Sequence, residues 1–392
     1  MSDTNQVQLA IAPEATFNVH PGAGAAWSSL RFQSESLKPN LALASSDEIR
    51  GYRDIPALNA TDKGNSGAIN QSVYFDDNGL GQIMRHGLGS GAWSSEVEVD
   101  AATLCTITGS DNTITRATSV WTNLPSVGGW IYVSGSTVAA NNGFHKIVSG
   151  TTSTIVVPDY LVDDAAVALT IIELSQITNG NTFQSFAIER TYTDLSNICE
   201  QFMGCGINGF SVDASGQGVA KFSSDWLGVD SGSDAAAETI DNAFSTTPEM
   251  TTTNGIQWLR EGKTSAMADL SVLGFGFSVA GNLRKQYELS RFGAKGIKFG
   301  DFIVTGTLRA YFANSTLIDK FMAMGETALA MAISDEVTAR GNTYLFDFPA
   351  VRFTDAQRVA GGRNDDIIVD MPWQAIYDGT SHTMKVCKLA SA

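Results

Sequence analysis

Gly204-Cys205-Gly206-Ile207-Asn208-Gly209 has the glycine spacing of a dinucleotide-binding turn. That chemistry needs a strand before the glycines and a helix after them, so that backbone N–H groups converge on a pyrophosphate. Here Phe210-Ser211-Val212-Asp213 continues as a strand, and no acidic residue closes a βαβ unit. The glycines therefore read as a bulge or a chance match. His20, His86, His145 and His382 are isolated from one another and make no His-x-x-x-His or Cys–His ligand spacing. Cys105, Cys199, Cys205 and Cys387 include no Cys-x-x-Cys and read as free buried thiols, with a Cys199–Cys205 disulfide left open. There is no G-x-S-x-G elbow and no P-loop. Carboxylates are abundant, but sequence alone does not pair them into a hydrolytic dyad. The tryptophans at 93, 121, 130, 226, 258 and 373 read as core and interface anchors. The sequence predicts no catalytic residue, no cofactor and no metal site.

The composition frames what such a chain does instead. Of 392 residues, 43% are hydrophobic and 17% charged, which suits a folded protein with a Ser/Thr/Gly/Asn surface. Glycine is frequent, proline scarce, and Thr, Val, Ile and Phe runs recur, which favours β structure with many turns. The formal charge is −16. Gripping nucleic acid requires a surplus of Lys and Arg against phosphate, so a DNA-holding role is disfavoured. A surface past which nucleic acid slides is compatible with that charge. The stretch from Met1 to Phe17 lacks a basic and then apolar leader pattern, so no signal peptide is expected. No apolar run approaches the roughly 20 residues of a membrane helix, and no membrane partner is expected.

Positioning comes from a pattern used twice. Gly67-Ala68-Ile69, Tyr74-Phe75, Leu80, Met84 and Gly87 recur as Gly306-Thr307-Leu308, Tyr311-Phe312, Leu317, Phe321 and Gly325. Phe186 to Arg190 is echoed by Phe348 to Arg352, and Gly204…Val212-Asp213 by Gly361…Val369-Asp370. Repeated matches in one order imply a supersecondary unit present in two copies. Each copy reads as strands followed by a short helix. Asn78 to Leu88 places Leu80, Ile83, Met84 and Leu88 on one face, and the second helix turns Leu317, Phe321 and Met324 inward. Pro39 to Gly64 and Leu283 to Asp301 read as long loops. Between Thr103 and Leu174 lie six short candidate strands separated by turn residues, which reads as an inserted β-barrel or sandwich projecting from a loop tip. Asp225 to Glu249 carries acids and no Lys or Arg, and reads as a solvated linker. The expected organisation is residues 1–101 with 177–232 as a first unit, 102–176 as the insertion, 233–254 as an acidic linker, and 255–392 as a second unit.

The residues Phe302 to Phe312, Leu317 to Phe321, Tyr344 to Phe353 and Asp365 to Asp378 resemble the major tail tube proteins of long, flexible-tailed (siphovirus-type) bacteriophages. The first half is similar more loosely, through Glu35-Ser36-Leu37 and Gly67-Ala68-Ile69. The resemblance implies a mainly β chain: two tandem tail-tube β-sandwich modules, each with a short helix, plus the inserted small β domain. It implies a structural virion protein, made in the host cytoplasm, that self-assembles into stacked rings. The implied rings are trimeric and pseudo-hexameric, with hexameric rings as the alternative. Tape-measure, tail terminator and distal tail proteins are the implied partners. Genomic DNA would pass through a net-negative lumen without tight binding. Loops between the early strands would reach the next ring, making Arg50, Tyr52, Arg53, Arg284, Lys285, Arg291, Lys295 and Lys298 the candidate inter-ring contacts. The basic second loop would find an acidic edge there. Competing readings are a phage adhesin or carbohydrate-binding module using the insertion, and a carbohydrate-active enzyme on a β scaffold.

Overall fold

The computed structural model describes residues 3–391 except 23, 50, 52, 56, 118–119, 159–160, 196–197, 235–236, 253–255, 262–270, 313–315, 337–339, 360–365 and 380–381. The chain is mainly β. It runs β1 (Val7–Pro13), β2 (Ser28–Leu30), β3 (Ser34–Glu35), β4 (Lys38–Ser45), β5 (Leu58–Ser72) and α1 (Leu80–Gly87). A second block holds β6 (Val97–Thr108), β7 (Thr113–Arg116), β8 (Trp130–Ser134), β9 (Gly143–Lys146), β10 (Ser149–Gly150), β11 (Thr154–Val156) and β12 (Asp164–Glu173). Then come β13 (Ser175–Thr178), β14 (Phe186–Tyr192), β15 (Ile198–Ser215), β16 (Lys221–Gly228) and β17 (Asp230–Asp234). The last part is β18 (Ile256–Glu261), β19 (Val272–Ala280), β20 (Arg284–Gln286), β21 (Gly296–Lys298), β22 (Ile303–Tyr311), α2 (Thr316–Met322), β23 (Thr327–Ser334), β24 (Thr343–Phe353), β25 (Gln357–Val359), β26 (Ile368–Ala375) and β27 (Lys385–Leu389).

Strand pairing repeats. In the first set β1 pairs with β14, β14 with β15, β15 with β16 and β17, β16 with β5, and β5 with β3 and β4. In the second set β18 pairs with β23, β23 with β24, β24 with β26 and β27, β26 with β22, and β22 with β19. Helix α1 packs on β15 and α2 on β24. The correspondence therefore matches β14 with β23 and β15 with β24. The sequence echo of Phe186–Arg190 in Phe348–Arg352 is one strand out of step, since the first lies in β14 and the second in β24. Both are apolar runs ending in Arg, and local pattern does not say which neighbour each will pair with.

Register carries the repeat to side chains. Gly67 sits opposite Trp226, and Gly306 opposite Trp373. A Cβ on Gly306 would enter the Trp373 ring and lie 2.5 Å from the Gly276 carbonyl oxygen. A Cβ on Gly67 would lie 2.6 Å from the Leu37 backbone.

The 18-residue β15 serves two sheets. Its first half pairs with β14 and β17, its second half with β16 and β19. Gly204 turns the corner at φ +61 and Gly209 marks a register shift. The Gly204-x-Gly206-x-x-Gly209 spacing is thus the bend of a strand that changes sheets, and the strand continues where a phosphate site needs a helix. Cys199 and Cys205 lie six residues apart on this strand, about 20 Å, beyond disulfide reach; all four thiols are free and buried.

One core spans both sets: Phe210 stacks on Phe222 at 5.6 Å and meets Phe277 edge-on at 6.3 Å, and Phe348 and Trp373 close the second sandwich at 4.8 Å. Leu80, Ile83, Met84 and Leu88 are buried as their spacing predicts. Met324 is not: it lies beyond α2 at φ +50 and faces solvent.

Three sequence readings change. The Pro39–Gly64 stretch is a two-stranded arm, β4 against β5, rather than a loop. Asp225, Asp230 and Asp234 belong to β16 and β17, and the segment after them is a strap rather than a solvated linker. Asp241 accepts from Trp27 N at 3.1 Å, Thr247 O from Arg31 at 2.8 Å, and Met250 bridges Val73 and Ala220 through its backbone. The insertion is an open sheet ordered β10-β11-β7-β6-β12-β8-β9 around its own core, and it does not stand free. Trp130, Phe144 and Ile172 pack on Ala330, Ala332, Leu345 and Leu389 of the second set. Lys146 Nζ lies 2.7 Å from Asp347, and Lys385 Nζ donates to Gly128 O at 2.7 Å.

Candidate functional site

A broad continuous surface is the solvent face of the sheet that joins the two sets. Gly209–Ser215 of β15 pairs antiparallel with Gly274–Ala280 of β19, so one sheet runs from β3 and β4 through β5, β16, β15, β19, β22 and β26 to β24 and β25. Alternation puts Phe210, Val212, Phe222, Phe275, Phe277, Leu308 and Trp373 in the core. The opposite face is polar. Cross-strand partners share a face, and one row reads Ser34, Asn70, Ser223, Ser211, Ser278, Thr305, Gln374, Arg352, unbroken across eight strands. Asn70 receives Ser223 Oγ at 2.7 Å and donates to Ser34 Oγ at 2.9 Å. An adjacent row reads Ser72, Lys221, Asp213, Gly276, Thr307, Pro372.

Charge on this face is balanced. Asp213 lies opposite Lys221, Arg309 meets Asp370 at 3.3 Å, and Arg352 meets Glu326 at 2.6 Å. Burial pushes the Asp225 carboxyl above its usual range. The described residues of this face carry no strong excess of acids, and hydroxyls and amides dominate it. Gly274, Gly276 and Gly306 leave an open groove of about 660 Å³ over Phe275 and Trp373. Its walls hold Asp213 and Arg309 with Ser and Thr, and no histidine or cysteine. Among the described residues no cluster of His, Cys, Asp and Glu forms a metal site, and no helix is long and apolar enough to cross a membrane.

The sheet has two open ends. Among the described residues nothing pairs with the far side of β3 and β4, or of β25. Arg190 secures the first end from behind: its guanidinium binds Glu35 of β3 at 2.6 Å, Glu200 of β15, and Leu37 O at 3.1 Å.

The candidate contact residues fall on the two long connections. Arg50 and Tyr52 lie outside the described residues, and Arg53 is exposed on the first arm. In the second connection β20 pairs with β21, bringing Arg284 opposite Lys298. This connection folds back on the first set. Leu283, Ala294 and Ile297 share a core with Val229, and Tyr287 O–H donates to Asp62 at 2.9 Å. Lys285 lies against Gly64, and burial pushes its ammonium below its usual range, with Asp62 opposing the shift. Arg291 is exposed, and Lys295 is 3.0 Å from Glu288. Sequence reading missed the polar ladder and the Gly–Trp pairs. The signal for the latter was present as Trp226 and Trp373, each in an alternating run.

The sequence profile of the phage tail tube protein family matches residues 4–375. The chain belongs to that family. Its match covers the first strand set, the insertion and the second set as far as β26, so the shared sheet described above is the framework of a structural tail tube protein of the virion tail. None of the curated proteins matches the chain. The family is a structural one rather than an enzyme class.

Proposed function

We propose that three chains of this tail tube protein close into a pseudo-six-fold ring, and that stacked rings form the conduit for DNA ejection. Each chain contributes two modules, residues 1–101 with 177–232 and residues 255–392, with 233–254 strapping them and 102–176 outside the lumen. The observation that carries the reading is the β15–β19 junction. By strand correspondence β19 is the counterpart of β3 and β4, and the end of β24 is the counterpart of the second half of β15. The junction inside the chain therefore has the same two halves that stand open at its ends. Pairing the β24–β25 end of one chain with the β3–β4 edge of the next repeats the junction and closes both open ends of the shared sheet.

The hydroxyl and amide ladder then lines the lumen. Fixed cations there sit beside carboxylates, so they add little retention of phosphate at each ring, and DNA passes without tight binding. Arg284, Arg291 and Lys298 of the second connection are the proposed contacts between rings, and Arg50, Tyr52 and Arg53, between the two strands of the first arm, are proposed contacts with a neighbouring chain. The tape-measure protein occupies the lumen before ejection, and terminator and distal tail proteins cap the ends. Hexameric rings are the alternative stoichiometry. The adhesin and carbohydrate-binding readings used the insertion as the binding element, and the family match favours the structural reading over them. Electron microscopy with native mass spectrometry tests the proposal: rings of three chains with two similar lobes each are expected, and discrete monomers under all conditions, or six chains per ring, would refute it.

A further inference from the structure

We infer that the β4–β5 arm is a lateral clasp that docks on the second module of the neighbouring chain within the same ring; the inference rests on the ring reading above. The chain contains its own precedent. The counterpart of the arm in the second module, the connection between β19 and β22, lies on the first module and buries Val229 to 1% exposure. It covers Gly64 at the start of that contact through Lys285.

The surface that this connection covers recurs more openly on the second module. Aligning Gly67 with Gly306 places Gly64 at Ile303, and aligning Trp226 with Trp373 places Val229 at Ile376, beside Tyr377. Ile303 is 39% exposed, Ile376 is half-buried where Val229 is fully buried, and Tyr377 is 60% exposed. The arm is uncovered too: Leu41, Leu43 and Leu58 are 56%, 51% and 62% exposed. A two-stranded ribbon is marginal in water by itself, and clustered exposed leucines mark a contact surface. The arm does not serve its own second module. From β4 to β22 there are five strand steps, about 24 Å at the usual spacing. A second copy, placed by the repeated junction, brings its arm to that surface as the internal connection reaches Val229. This assigns the arm a place inside the ring, whereas the resemblance places such loops between rings.

The test uses the full chain carrying Leu43→Cys and Tyr377→Cys, treated with a short bismaleimide under ring-forming conditions. The native thiols are buried and leave the introduced ones to react. A lateral clasp gives covalent products that stop at three chains, and each single-cysteine control stays monomeric. A ladder extending beyond three chains, or no product in a preparation that forms rings, overturns the inference. A second variant, Leu41→Glu with Leu43→Glu, is expected to raise the concentration needed for ring formation at least about tenfold, with circular dichroism unchanged. Rings that form normally but fail to stack would place the arm between rings and refute the clasp. If the unmodified chain forms no rings, the ring reading fails first, and that result is separate from either variant.

Discussion

Lys146→Met is the sharpest test of how the insertion is held. Asp347 is buried in β24, with its side chain 2% exposed, and two of its partners come from the insertion. Lys146 Nζ is 2.7 Å away and Trp130 Nε1 donates at 3.1 Å. At an effective dielectric near 20 the Lys146–Asp347 attraction has a ceiling of about 6 kcal/mol. Breaking a buried pair typically costs about 3–5 kcal/mol, because one charge stays behind in low dielectric. Lys146 is 26% exposed, and Lys385 lies directly across the strand from Asp347, so both effects reduce the loss. The expected cost is about 2 kcal/mol. Methionine keeps the apolar stem, so packing changes little. Denaturant unfolding gives the total, and hydrogen exchange over β8 and β24 localises it, since a multidomain chain need not unfold in two states. Adding Asp347→Asn to Lys146→Met should recover part of the loss, because the stranded carboxylate charge is removed while an acceptor for Trp130 Nε1 is kept. A single variant within about 0.5 kcal/mol of wild type, or a double variant no better than the single, would refute the reasoning. The same interface predicts that excising 102–176 is not neutral. It would expose Ala330, Ala332, Leu345 and Leu389 and leave Asp347 without both insertion partners.

Gly306→Ala should destabilise by about 1–3 kcal/mol, because the Gly276 backbone does not yield to the new methyl, while Gly218→Ala, with open space, should be neutral in the same melt. Tyr344→Phe should cost about 1–3 kcal/mol, since the buried hydroxyl accepts from Asp76 N and donates to Asp76 O, each at 3.1 Å, across the two modules; an unchanged unfolding midpoint would show those groups find other partners. Burial, then Arg85, lowers His86 to about 4, below the ordinary value near 6.5. The unfolded chain therefore takes up the proton first: this contribution is present above pH about 6.5 and is lost as pH falls through about 4. His86→Leu should flatten the stability slope in that window by an amount on the order of 3 kcal/mol, and an unaltered slope would contradict it.

What sequence determined by itself was local. Tyr74-Phe75 before Leu80 and Tyr311-Phe312 before α2 were legible because alternation and helical spacing are written within a dozen residues. The strands of the insertion were legible for the same reason, since turn residues separate them. The absence of a phosphate-binding helix after Gly209 followed from the alternation of Phe210 to Asp213. Pairing was different. Whether Phe348–Arg352 answers β14 or β15 depends on which strand lies beside it, and partners such as β5 and β16 are separated by the whole insertion. The acidic segment after β17 looked solvated because its partners, Trp27, Arg31 and Val73, lie about 200 residues earlier. The arm looked like a loop because its strands are exposed on both faces and show no apolar alternation. The polar ladder from Ser34 to Arg352 exists only in the register of eight strands, and a slip of one residue in any of them would turn its side chains to the core. Sequence set which residues alternate; only the tertiary pairing decided which of them stand in one row, and which edges were left open for another chain.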